Sequence, residues 1–454
     1  MHGVFAMEFI KKNKGLILSI LSISLPVIIE MSLHTLVGIA DTLMISHMIG
    51  KDALSAAGYA NQVIFATIFV FSSFNIGATA MISRSYGEKN HTKLNQAAGQ
   101  NLTLNLSVGF IMTIFALAFG AKIMGIFDTT DAVFEMGLSY FNIVSYSMVF
   151  MFIAFAAASS LRGVSDTRTP MIVSAIVNFL NIIGNYVLIT GFGPFPEMGI
   201  QGAALSTTLS RVMGAVIYII LLLKGSNGLR LFFRNLKITS GIIKPLWNLS
   251  YTAGFEQLLL HTSFIVAGLF ISFLDTTSEA AYRILLSIES LSTMPAIGFS
   301  IAAATLVGKA LGEEDKPKAL HTSYIASGMG ILWGILIGTI FIVFPAQIIR
   351  LFTPDIDIIQ RSIPAMRLVG IDQPFLVYII IMFGSLRGAG DTKNVMILNA
   401  LRLWGIFIPT IYILIVFGHM GIESVWISEL ISLAIFSLIV YRRLRSERWM
   451  DIRI

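Results

Sequence analysis

Acidic side chains within long apolar segments are the residues of this 454-residue chain best suited to chemistry. They are Glu30 and Asp41 in the first half, and Glu256, Glu289 and Asp372 in the second. A charged group at the centre of a bilayer costs about 3 kcal/mol or more, so such groups are usually functional. Because burial disfavours the ionised form of a carboxyl group, a proton or Na⁺ can switch its charge. We predict that these five acids couple cation or proton binding to movement, with Na⁺ at Glu256 and Asp372.

Basic residues leave a second interpretation open for the same acids. Arg283 and Arg402 also lie within apolar segments. If they neutralised the carboxylates fully, the acids would be structural, because a paired charge needs no mobile cation.

The acids of the first half share one face of a predicted helix. At 100° per residue, His34 lies about 40° and Asp41 about 20° from Glu30. Asp41 is either an ion or proton site or a structural hydrogen-bond partner, and His34 is predicted to be an interior histidine.

Three asparagines follow on a later apolar segment, at Asn178, Asn181 and Asn185. Their amides could offer carbonyl oxygens to a cation or tune a nearby carboxylate. The alternative is adhesion between helices in lipid.

Composition limits the class of protein that carries these residues. Hydrophobic residues make up 56% of the chain and charged residues 12%, with no cysteine. Soluble proteins average about 25% charged residues. The mean hydropathy of +0.81 and the uniformly apolar runs therefore predict an all-α polytopic membrane protein.

A helix needs about twenty apolar residues to cross a bilayer, and on this basis the chain contains twelve predicted transmembrane helices. They cover 16–44, 54–83, 96–119, 132–160, 169–190, 198–223, 246–273, 279–308, 320–344, 357–385, 394–416 and 421–441. With the N-terminus inside, 23 of the 31 basic residues fall in cytoplasmic segments. Both termini are therefore predicted to be cytoplasmic, in a cell (inner) membrane.

The two halves of the chain repeat each other. LRGVSDTRTP at 161–170 matches LRGAGDTKNV at 386–395, and other short matches follow at the same interval. The repeat predicts lobes at 1–223 and 246–454, joined by a basic linker at 224–245. An even number of spans per repeat predicts two six-helix bundles related by a pseudo-twofold axis along the membrane normal, with a central cavity and alternating access.

The repeated motif supplies two predicted turns at the cytoplasmic side. Gly163 and Gly388 are predicted to adopt backbone angles that other residues avoid. The remaining charged positions could pair with each other or cap helix ends. They are Arg162, Asp166, Arg387 and Asp391. The motif is either a rigid turn or a mobile latch of a gate, and Pro26 in the first span introduces either a fixed or a moving kink.

Taken together, these features resemble the multidrug and toxic compound extrusion (MATE) family, in its NorM-type branch. The resemblance is carried by Pro26 with Asp41, Gly87-Glu88, the two LRG motifs, Asn178 with Asn181, and GIQGAALSTTLSR at 199–211. It implies cation coupling at Glu256 and Asp372, and a first-half site at Asp41 with Asn181 and Thr207. Asn185 stands where the DinF-type branch appears to have Asp, which favours the NorM-type branch.

The resemblance also implies an antiporter that exports cationic or amphipathic organic compounds, such as drugs and dyes, in exchange for Na⁺ or H⁺. We expect a monomer in the lipid bilayer, with no cofactor beyond the coupling ion, no nucleic-acid partner and no enzymatic activity. The alternatives are a flippase for lipid-linked saccharides, which would carry several cavity arginines to hold pyrophosphate, and a membrane-embedded enzyme.

Overall fold

Helices form all the regular structure in the described part of the chain. The computed structural model describes residues 2–452 and 454, apart from the side chains of residues 2–12 and 69–70. The chain divides into two compact units. The first unit is Ile29–Ser250, and the second is Tyr251–Ile454 together with Met1–Ile28.

Eight α-helices precede the basic linker. They are α1 (His2–Met48), α2 (Lys51–Ser72), α3 (Phe74–Gly87), α4 (His91–Met124), α5 (Asp131–Ser145), α6 (Met148–Gly163), α7 (Arg168–Thr190) and α8 (Gly199–Lys224). The linker itself contains a short 3₁₀-helix, Phe233–Leu236.

Eight further α-helices follow the linker. They are α9 (Ser240–Ile271), α10 (Thr276–Gly312), α11 (Lys316–Val343), α12 (Pro345–Arg350), α13 (Ile356–Gly388), α14 (Thr392–Ala400), α15 (Ile408–Tyr412) and α16 (Glu423–Arg445). Two π-helical segments, Leu401–Phe407 and Ile413–Phe417, make α14 and α15 parts of one continuous helical run.

The predicted all-α polytopic fold is confirmed. In the described residues, ten helical spans are long and apolar enough to cross a membrane, and α5 with α6 forms an eleventh, bent by 47°. The remaining predicted span, 54–83, coincides with α2 and α3 and includes residues 69–70. Apolar side chains on the helix surfaces stay exposed, such as Ile114 at 66% and Leu332 at 69%, which suits contact with lipid.

Local chemistry explains the two irregular spans. At the α5–α6 bend, the hydroxyls of Ser145 and Ser147 donate to the carbonyls of Phe141 and Val144, which competes with the helical ladder. In the π-helical run, Pro409 has no N–H to donate, and its ring crowds the preceding turn. The Ile408 N–H accordingly donates to Leu403 O, five residues back.

The repeat found in the sequence extends to backbone detail. Lys89 and Glu314, which are equivalent positions of the repeat, both have positive φ, at 54° and 60°. The next residues, Asn90 and Asp315, both cap a helix by accepting from the N–H three residues on. Equal turn geometry at equivalent positions indicates that both halves fold in the same way.

The compact units do not begin and end where the predicted lobes do. Residues 1–28 group with the second half, and the 224–245 linker groups with the first. Ile20 and Ile23 of α1 join the core formed by Ala296 and Phe299 of α10 and Ile325 of α11. Packing thus assigns the start of α1 to the unit that the second half of the chain forms.

The prediction for Gly163 and Gly388 was wrong about the backbone. In the two motifs, positive φ occurs two residues later, at Ser165 (63°) and Gly390 (90°). Gly163 and Gly388 end their helices, and a Cβ atom there would overlap Ile82 and the backbone of Ala304 respectively. These two glycines therefore allow close packing of helices.

We predict that Gly388→Ala lowers stability, because the added methyl group meets rigid backbone. The expected loss in the free energy of unfolding is about 1–3 kcal/mol, the usual cost of overpacking. Thermal unfolding of the purified protein in detergent measures it. Gly328→Ala on α11 is the matched control, since open space surrounds that position. Equal melting temperatures for both variants would contradict the packing role.

Candidate functional site

A buried ion pair joins the first span to the LRG motif in the first unit. Arg162 Nη2 lies 2.8 Å from Glu30 Oε1 and 2.9 Å from Oε2. The Ser174 hydroxyl donates to the same carboxylate at 3.3 Å and lies 3.5 Å from His34 Nε2. Glu30 is therefore neutralised by a neighbouring helix, and His34, which is exposed, stands beside this pair.

The second unit contains the same arrangement. Arg387 Nη2 lies 2.5 Å from Glu256 Oε1, and Asn399 Nδ2 donates to that oxygen at 3.0 Å. Arg387 is the repeat counterpart of Arg162, and Asn399 that of Ser174. We refer to Glu30–Arg162 and Glu256–Arg387 as the two motif pairs. The sequence predicted that Glu256 and Asp372 form one site. In the structure, the Glu256 carboxylate is instead bound by Arg387 and Asn399.

The motif aspartates do not pair with the arginines of their own motifs, which was one of the two predicted roles. Asp166 accepts from the backbone N–H and the hydroxyl of Thr169. Asp391 accepts from Asn394 and from Arg443, at 2.6 and 2.8 Å. Within each motif the arginine binds a glutamate, so the aspartate remains available to fix the next helix.

A second polar group in the first unit surrounds Asp41. Asn185 Nδ2 donates to Asp41 Oδ1 at 2.6 Å, and Asn181 Nδ2 donates to Thr207 Oγ1 at 3.3 Å. The Oδ1 atoms of Asn181 and Asn185 are buried without a donor among the described residues. The structure thus brings Asp41, Asn181 and Asn185 to one side of α7, with oxygen atoms free to accept.

Two further residues predicted in the first half, Asn178 and Pro26, lie on α7 and α1, the helices that carry Asn185 and Asp41. Asn178 is buried on α7, and its Nδ2 has no acceptor among the described side chains and backbone groups. Pro26 is buried in α1, which continues as a helix through it. The kink at Pro26, either fixed or moving, stays a prediction.

Three carboxyl groups converge in the interior of the second unit. One oxygen from each of Glu289, Asp372 and Glu429 lies within 4.8 Å of the others, and all three residues are at most 7% exposed. We call this group the acid cluster. Asp372 Oδ2 has no partner in the described part of the chain, whereas Oδ1 accepts from Gln373 and Glu289 accepts from the Trp426 indole. Oxygens at this spacing are suited to hold a hard cation or to share protons.

A single guanidinium group accompanies the acid cluster among the described residues. Arg402 Nη1 lies 3.8 Å from Glu429 Oε1, and the side chain donates to Asn399 at 3.3 Å and to Ser432 at 3.5 Å. Asn399 thereby joins Arg402 to the motif pair Glu256–Arg387. The other predicted basic partner, Arg283, is exposed and bound to Glu279, so it plays no part in the cluster.

Sequence reasoning missed Glu429. It lies in the last predicted span, within the segment ISELIS, so the rule that selected Glu289 selects it too. Its partners could not be predicted, because four different helical segments supply the cluster and Arg402.

Apolar spanning helices, a duplicated chain and ionisable groups inside the spans are the features of a multi-pass membrane transporter. The MatE family model matches residues 26–187 and 253–413. The chain belongs to the MatE family.

Similar proteins extend over nearly the whole chain. It is 30% identical to the "Probable multidrug resistance protein NorM" of Thermotoga maritima over 439 residues, which are 95% of this chain and 92% of that protein. It is 25% identical to the "Uncharacterized transporter YisQ" of Bacillus subtilis, over 99% of each. A solved MOP superfamily transporter from Pyrococcus furiosus has the same fold, with a TM-score of 0.88 and 20% identity over 96% of this chain and 97% of that one.

We predict that the motif pairs are structural, because removing one partner leaves a buried charge alone. Glu256→Gln is expected to lower the free energy of unfolding by about 3–5 kcal/mol. The double variant Glu256→Gln/Arg387→Met removes both charges and is expected to recover most of that loss. Denaturant unfolding in detergent measures both. Losses that simply add in the double variant would contradict the pairing.

Proposed function

We propose that this protein is a multidrug efflux antiporter of the cell membrane, which exports cationic or amphipathic organic compounds in exchange for Na⁺ or H⁺ by alternating access. The observation that carries the proposal is the acid cluster, a group of three buried carboxyl groups with one guanidinium beside it. A transporter with such a site can bind a cation and respond to its charge.

Electrostatics argues that the acid cluster needs mobile positive charge. At 4.8 Å and an effective dielectric constant of about 20, each pair of ionised carboxylates repels by roughly 3–4 kcal/mol. With all three ionised, Arg402 leaves an excess of two negative charges. Because uncompensated charge in a low dielectric is costly, protons or Na⁺ must occupy the cluster.

The first unit does not have this excess. Glu30 is paired with Arg162, Asp41 accepts a hydrogen bond from Asn185, and no third carboxyl group joins them among the described residues of these spans. This contrast favours the second half as the coupling site. Asp41, with the free amide oxygens of Asn181 and Asn185, is then suited to bind a cationic group of the organic substrate or a second coupling ion.

The proposed substrate class rests on the relatives. Several carry the name multidrug resistance protein NorM, including those of Thermotoga maritima and Idiomarina loihiensis. The chain has 33 phenylalanines and 21 methionines, which offer adaptable apolar surface for varied compounds.

The flippase alternative is disfavoured by the charge of the interior. A carrier of pyrophosphate-linked saccharides needs unneutralised arginines. Arg162, Arg387 and Arg402 each have a carboxylate within 4 Å, whereas Arg211 donates to the Ser147 hydroxyl. One such arginine is fewer than the several that a carrier of this kind would need.

We predict that Asp372→Asn, Glu289→Gln and Glu429→Gln each abolish ion-driven efflux, because each removes a cation ligand from the acid cluster. The measurement is efflux of a fluorescent organic cation from vesicles, with Na⁺ and pH gradients imposed separately. The two gradients distinguish Na⁺ coupling from H⁺ coupling.

Glu279→Gln is the matched control for these variants. Glu279 lies on α10, like Glu289, but it is exposed and bound to Arg283. We expect normal efflux from this variant. Normal efflux from Asp372→Asn as well would remove the second-half coupling site.

Asp41→Asn is expected to reduce efflux severely, because it removes the carboxylate that Asn185 binds. If transport uses Asp41 for the organic cation, cation binding at the acid cluster should persist in this variant. The coupling site would instead lie in the first half if Asp41→Asn abolished cation binding and the three cluster variants kept full efflux.

A further inference from the structure

We propose that Arg402 is a tethered counter-ion of the acid cluster, which competes with the coupling cation for the same carboxylates. The inference rests on the proposed function, since it needs a cation to enter the cluster. It assigns to Arg402 and Glu429 a part in setting cation affinity.

Three arginines that lie beside buried acids differ in how firmly they hold a carboxylate. Arg162 and Arg387 lie 2.8 and 2.5 Å from their glutamates. Arg402 lies 3.8 Å from Glu429, too far for a hydrogen bond, and its donors are directed to the neutral groups of Asn399 and Ser432. The Arg402 guanidinium is therefore near the acid cluster but bound tightly to none of its members.

The backbone that carries Arg402 is also unusual. Arg402 lies in the π-helical segment Leu401–Phe407, and π-helical turns are frequent at functional sites. Its side chain is only 5% exposed, so its charge cannot be balanced by water. The cost of this burial is offset only while negative charge remains in the cluster.

The charged and titratable groups around the guanidinium come from four packed helices. Glu256, which is paired with Arg387, lies on α9, Glu289 on α10, Asp372 on α13 and Glu429 on α16. When the cluster is ionised and holds no cation, Arg402 is the positive charge that these acids share. When Na⁺ or a proton enters, it neutralises the same carboxylates, and their attraction for Arg402 falls. The loaded and unloaded states thus differ in where Arg402 is held.

Cation binding to the purified, full-length protein tests the inference. Trp426 donates to Glu289, so its fluorescence should respond when the cluster binds a cation. The probes are NaCl, with choline chloride at equal ionic strength, and a separate pH series. Trp426→Phe identifies the contribution of this tryptophan to the signal.

Arg402→Gln is expected to tighten cation binding about tenfold while abolishing efflux, because the competitor is gone and the unloaded state loses its counter-ion. Arg402→Lys keeps a tethered charge and should recover part of the efflux. Arg283→Gln, at an exposed arginine outside the cluster, is the matched control and should leave both measurements unchanged. An arginine with a purely structural role would lose cation binding together with efflux, so weaker or unchanged binding in Arg402→Gln would overturn the inference.

A second pair of variants tests the inference if Arg402→Gln alone fails to fold. Glu429→Gln removes one carboxylate and should weaken cation binding about tenfold. Adding Arg402→Gln then restores the charge balance and should tighten binding again. No tightening in the double variant would overturn the inference. If the wild-type protein shows no response to Na⁺ or pH, the proposed function is overturned as well. If the wild type responds and the double variant does not tighten binding, only the inference about Arg402 fails.

Discussion

The cost of an unmatched charge in a low dielectric determines how the interior of this protein is organised. Glu30 and Glu256 lie within long apolar helices, and each is bound by an arginine from the end of another helix. Such a pair ties two helices of one unit together, because separation would leave two charges buried alone. At the acid cluster the same constraint is not met by the protein alone, since three carboxyl groups face one guanidinium. In the proposed function, the coupling cation supplies the positive charge that the cluster lacks.

Comparison of the two halves separates the scaffold from the site. At equivalent positions of the repeat the motif pairs correspond, as do the caps Asn90 and Asp315 and the positive-φ residues Lys89 and Glu314 before them. The acid cluster does not. Asp372 corresponds to Ser147, Glu289 to Ile64 and Arg402 to Val177, so the equivalent positions of the first half carry no charge. The two halves therefore share one framework, and these charged residues of the centre are present in the second half alone.

Much of this organisation could be predicted from the sequence. Long apolar runs located the helices, and the ionisable residues within them included Glu289 and Asp372, although Asp372 was predicted to share its site with Glu256. What could not be predicted were the partners, because Glu256 and Arg387 are far apart in the chain and meet only where α9 lies beside the end of α13. The glycines of the motif illustrate the same limit. Their repeated spacing indicated a tight turn, whereas the reason for glycine at 388 is a backbone atom of Ala304, which no local pattern reveals.

The position of Arg402 depends on a local defect that the first half lacks. Pro409 interrupts the hydrogen-bond ladder of its helical run, which continues with π-helical bonds on both sides. The equivalent residue of the first half is Gly184, and α7 runs there as a regular helix, with Gly184 close to Ser206. A regular helix is stabilised by every ladder bond and has little reason to change. A π-helical segment has poorer local geometry and can exchange bonds at small cost, so it is the part of this unit best able to let a buried arginine shift when the charge beside it changes.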